Sequence, residues 1–76
     1  MNNKRRGRLQ DALKMLSNAA AIVENVCDDE QDCMDNYPEN LQCTEAFEHM
    51  EAAADSLNDA LEKIDDAKEH IQSALH

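Results

Sequence analysis

A chain of 76 residues has room for one small domain, and a helical monomer of that length buries little apolar surface, so a partner or a second copy is expected. Trp is absent, Phe, Tyr, Gly and Pro occur once each, and this composition excludes a thick aromatic core, a multi-stranded β domain and a Gly-rich phosphate loop. The net charge is -10, and because four of the seven bases fall in the first eight residues, everything from Leu9 onward carries -14, which argues against nucleic-acid binding by the main body and against an anionic membrane surface.

The N-terminal residues, with Lys4, Arg5, Arg6 and Arg8, read as a basic tail over positions 1–7. They resemble the charged start of a signal peptide, but Gln10, Asp11 and Lys14 interrupt any apolar stretch behind them. No run approaches membrane-spanning length, and a protein that stays in the cytosol where it is made is the expectation. Cations near a helix N-terminus oppose its dipole. A solvated tail is the plain reading of these bases, and docking on an acidic partner or on nucleic acid is the functional one.

From Leu9 the apolar positions run Leu9, Leu13, Leu16, Ala20, Val23 and Cys27 in steps of four and three, which hold one face of a helix. Ala12, Ala19 and Val26 widen that stripe. The spacing predicts a helix over 8–34. Asp35-Asn36-Tyr37-Pro38 then stops it, since proline cannot donate a backbone hydrogen bond and restricts the residue before it. Asn36 can cap a new turn with Glu39 three places on, and residues 35–43 form an elbow with a short helical turn from Pro38 to Gln42.

The second segment has the stronger period: Phe47, Met50, Ala54, Leu57, Leu61, Ile64, Ile71 and Leu75. It predicts a helix over 44–75 with Thr44 as N-cap. Alanines at 46, 53, 60, 67 and 74 form a heptad-spaced row of small side chains beside the stripe, which lets a neighbouring helix approach closely. Lys68 interrupts the narrow seam.

Two such helices form an all-α antiparallel hairpin, and two hairpins packed face to face give a four-helix bundle. A homodimer is therefore expected, held by Leu9, Leu13, Leu16, Val23, Phe47, Met50, Leu57, Leu61, Ile64 and Ile71. In the folded hairpin Arg5, Arg6 and Arg8 come near Asp65, Asp66 and Glu69 as weak exposed pairs.

The densest chemistry is the stretch Asp28, Asp29, Glu30, Asp32, Asp35, Tyr37 and Glu39, taken as the surface for a protein partner of basic character. Counted from Asp28, oxygen-bearing side chains fall at positions 1, 3, 5, 9 and 12 of a calcium loop, but position 6 is Cys33 where the loop needs glycine. A solvated acidic turn explains the same residues. Cys27, Cys33, Cys43 and His49 have no C-x-x-C spacing, and an odd number of cysteines without an export signal reads as free thiols. No metal site is assigned. His49 and His70 follow Glu45 and Asp66 by four residues, an ordinary helix contact, and the bundle motif Glu-x-x-His is absent. Ser17, Ser56 and Ser73 lie at helical positions with no nucleophile elbow, so no catalytic residue and no cofactor is expected.

Asp29-Glu30-Gln31, Asp35 through Gln42, and Thr44-Glu45 together resemble a pattern in small acidic helical proteins of phages and prophages of Firmicutes and related gut bacteria. That resemblance implies a helical hairpin and a phage or mobile-element setting, with no activity or catalytic residue to carry over. Three uses stand as expectations: an interaction module; an inhibitor of a host defence nuclease, of the anti-restriction or anti-CRISPR type, in which carboxylates imitate DNA phosphates; and a sponge for a nucleotide signal, with a pocket assembled between copies from Arg5, Arg6, Arg8 and Tyr37. The interval from Lys14 to Lys63, which contains no base, motivates the second.

Overall fold

Asn2 opens the first helix. Its backbone is extended, and its side-chain oxygen accepts the N–H of Arg5 at 2.8 Å, the standard N-cap bond for a residue of this type. In the computed structural model, which describes residues Met1 to His76, helix α1 therefore runs Asn3–Asp35. This corrects the basic tail: Lys4, Arg5 and Arg6 lie in the first turn of α1. The cap offsets part of the unfavourable placement of cations at that end, and α1 has no acid in its first turn to help.

The elbow is built from backbone and capping bonds. Asn36 closes α1, with its N–H and its Nδ2 both donating to the Asp32 carbonyl, at 3.1 and 2.9 Å. It thus ends the first helix rather than capping the turn that follows. Pro38, which has no N–H, breaks the chain direction, and its carbonyl accepts the N–H of Leu41 at 2.9 Å to form a single 3-10 turn, Glu39–Leu41. Thr44 then does two jobs. Its hydroxyl donates to the Leu41 carbonyl at 2.6 Å and accepts the Phe47 N–H at 3.4 Å, so it both fastens the elbow and caps the second helix. Helix α2 runs Glu45–Leu75, with Glu45 and Glu48 in its first turn, where negative charge favours the helix dipole.

The two helices are antiparallel and joined at both ends. At the elbow the rings of Tyr37 and Phe47 stack with centroids 5.4 Å apart and planes 15° apart. At the open end the Arg6 guanidinium donates to the backbone carbonyl of Leu75. That register corrects the expected ion pairs. Arg6 sits level with the last turn of α2, about six residues or 9 Å beyond Glu69, and its partner is a carbonyl.

Between those ends runs the seam. Leu9, Leu13, Leu16, Ala20, Val23 and Cys27 of α1 meet Phe47, Met50, Leu57, Leu61, Ile64 and Ile71 of α2, and all are half-buried. Only Met34, 9% exposed, and Ala54, 8% exposed, are buried outright. Lys68 is half-buried on the seam, where its methylene stem can cover neighbouring apolar groups. The molecule is a rod of 59 × 15 × 14 Å with a radius of gyration of 17.4 Å, against about 11 Å for a compact chain of this length. It exposes 5813 Å², whereas a globular monomer of 8.6 kDa exposes about 4,700 Å². Neither helix is long and apolar enough to cross a membrane.

Candidate functional site

A rod of two helices has two broad sides besides its narrow edges, and here they differ in chemistry. Successive residues of an α-helix turn by about 100°. In an antiparallel pair that meets along one seam, positions displaced by the same angle and sign from the seam point to the same side of the hairpin. The sides can therefore be assigned from the register alone.

On the first side, α1 presents Glu24, Asp28, Asp32 and Asp35, and α2 presents Glu48, Glu51, Asp55, Glu62, Asp65 and Glu69. All are exposed, and Arg6 and Lys14 are the only bases among them. From Glu69 to the elbow these ten carboxylates span about 33 Å, or roughly one charge per 3.3 Å, close to the value of about 3.4 Å for one strand of duplex DNA. At the elbow end this side holds a shallow groove. Met34, Phe47 and Ala54 form its floor, and Asp35, Glu51 and Asp55 stand on its rim.

The second side is apolar over its middle and carries less acid than the first. Met15 is 70% exposed, Ile22 64% and Val26 43%. Val26 thus faces outward and does not widen the seam. Ala12 and Ala19 lie between these residues and the seam, and the alanine row of α2 flanks it from the other helix. Cys33 and His49 close this side toward the elbow, while Arg8 and Lys63 are its bases. Between Arg8 and Val26 its carboxylates are those of Asp11 and Asp59, at the outer rims, and Asp29 and Glu30 follow toward the elbow.

The residues expected to bind a partner are divided by this geometry. Asp28, Asp32 and Asp35 lie together on the acidic side. Asp29 and Glu30 turn toward the other flank of α1, and Glu39 lies exposed in the 3-10 turn. Tyr37 is half-buried against Phe47 and plugs the end of the hairpin, whereas Pro38 and Leu41 remain exposed. The calcium-loop spacing does not make a loop: Asp28, Glu30 and Asp32 belong to one continuous helix, which turns Glu30 to the flank opposite Asp28 and Asp32. Cys27 is half-buried on the seam, and Cys33 and Cys43 are exposed free thiols. Arg5, Arg6 and Arg8 lie at the opposite end of the 59 Å rod from Tyr37, so one hairpin does not bring them into a nucleotide pocket.

The ten residues expected to hold two copies together line the contact between α1 and α2 within one chain and remain half-exposed there. Sequence reasoning did not single out Met15 and Ile22. Their signal is present, because Ala12, Met15, Ala19, Ile22 and Val26 follow one another in steps of three and four and form a second stripe beside the first. No protein-family model matches the chain, and no curated protein or solved structure is similar to it. The fold defines the class: an all-α, two-helix antiparallel hairpin with one acidic and one apolar side.

Proposed function

We propose that this chain is a non-enzymatic protein-interaction module of phage or mobile-element origin. It acts in the cytoplasm of a bacterial host, pairs with a second copy to form a four-helix bundle, and binds a basic protein partner. The observation that carries the reading is the gathering of ten carboxylates on one side of the rod, beside a groove with an apolar floor and an acidic rim. A Lys or Arg side chain suits such a groove, because its stem packs on apolar groups while its charged head reaches carboxylates. The phage setting rests on the resemblance of the elbow sequence.

A second reading shares that surface: inhibition of a host defence nuclease by imitation of DNA. The linear charge density of the acidic side, close to that of one DNA strand, favours it.

Affinity capture from bacterial host extract tests both. The wild-type chain is compared with a chain neutralised at Asp28, Asp32, Asp35, Glu51 and Asp55 by Asn or Gln, and with an Asp11→Asn/Asp29→Asn control. A discrete basic protein captured by wild type and control and lost from the neutralised chain supports the proposal, and displacement of that protein from duplex DNA selects the second reading. Equal capture by the neutralised chain refutes both.

A further inference from the structure

We propose that the apolar side is covered by a second copy of this chain, with α1 of each copy lying over α2 of the other. The inference rests on the self-association reading above and adds the face and the helix pairing.

Area gives the first argument. The hairpin exposes about 1,100 Å² more than a globular monomer of its mass, and a stable protein interface takes about 800 Å² from each partner. The excess surface is of the size that one such interface removes.

Shape gives the second. The large residues of this side stand on α1 and the small ones on α2. With Arg6 level with Leu75, Met15 is level with Ala67 and Ile22 with Ala60, each within about a turn. A two-fold axis parallel to the helices carries α1 of one copy onto α2 of the other at the same height. Met15 and Ile22 then rest on the partner's alanines, and every neighbouring pair of helices in the bundle is antiparallel. An axis across the helices instead stacks α1 on α1 and α2 on α2. That arrangement sets large residues on large ones and brings Lys63 close to its own copy near the centre.

Charge gives the third. Covering the side with least acid leaves both acidic sides pointing outward in opposite directions, the widest separation available to two chains of charge -10. In the parallel-axis arrangement the rim carboxylate of Asp11 also comes level with the imidazole of His70 of the partner subunit.

Cys43 lies in the elbow and is exposed, so it can carry a nitroxide in a Cys27→Ala/Cys33→Ala chain. The parallel-axis dimer places both elbows at one end, and electron–electron dipolar spectroscopy is expected to give a distance of about 15–35 Å, from helix layers about 10 Å apart and the label arms. A dimer whose labels stand near the full 59 Å rod length overturns the pairing and leaves self-association intact. A monomeric mass by light scattering overturns both. Ile22→Glu and Ala60→Glu are each expected to weaken dimerisation at least about 30-fold, as for a central interface residue, with wild-type helicity recovered by circular dichroism at the higher concentrations that restore the dimer. Ala21→Glu, on the acidic side, is expected to leave it unchanged. Undiminished dimerisation of both Ile22→Glu and Ala60→Glu overturns the choice of face.

Discussion

The Arg6 guanidinium donates to the backbone carbonyl of Leu75, which ties the first turn of α1 to the last turn of α2 across 69 positions of sequence. Helix α2 has no base in its own last turn. Arg6 supplies the positive charge that an unsatisfied helix C-terminus favours, and the contact draws a segment that reads as a tail into the helix. Arg6→Ala is therefore expected to cost about 1 kcal/mol, with amide exchange in residues 72–75 accelerated more than in the centre of α2. Unchanged exchange there would mean that the contact contributes nothing in solution.

The two N-caps are expected to differ in worth. Thr44 joins the elbow to α2 through bonds to Leu41 and Phe47, whereas Asn2 caps an end that frays locally. Thr44→Ala should cost about 1–2 kcal/mol, and thermal unfolding should move down by roughly 4–8 °C per kcal/mol. Asn2→Ala should shift the same transition by less than half as much. Equal shifts would contradict the role of Thr44 as the residue that fastens the elbow to α2.

Tyr37 and Phe47 form the aromatic plug of the elbow end. In a double-mutant cycle of Tyr37→Leu and Phe47→Leu, a coupling of about 0.5–1.5 kcal/mol is expected for the stacked pair. A coupling near zero would place Tyr37 in solvent and return it to the candidate binding surface.

The acidic side destabilises the hairpin by self-repulsion that salt screens. Raising sodium chloride from about 0.02 to 0.5 M, across which the Debye length falls to a few ångströms, is expected to raise the melting temperature. Glu62→Gln/Asp65→Asn should raise it at low salt and reduce its salt dependence. A melting temperature that falls with salt would show that attractive pairs dominate this surface.

Both helices were legible in the sequence because the apolar spacing of three and four runs from Leu9 to Cys27 and from Phe47 to Leu75, broken only at Lys68. The stop at Pro38 and the cap at Thr44 were legible for local reasons, a missing N–H and a hydroxyl placed to accept. The start of α1 was missed although the Asn2 cap is a local signal, because the run of bases argues for a solvated tail and the Arg6–Leu75 contact that draws it in is distant in sequence. The expected pairing of Arg5, Arg6 and Arg8 with Asp65, Asp66 and Glu69 failed on register, which the elbow length alone leaves open by a turn or more. The acidic cluster was legible as composition only. Which carboxylates share a side depends on how two helices meet, and that separates Asp28 from Asp29 although they are adjacent in sequence.

The central claim is that one hairpin is half of the functional fold. Light scattering across a dilution series, with circular dichroism on the same samples, tests it most directly. The account predicts a dimeric mass at high concentration and a loss of helicity as the dimer dissociates on dilution. A fully helical monomer at every concentration would contradict it.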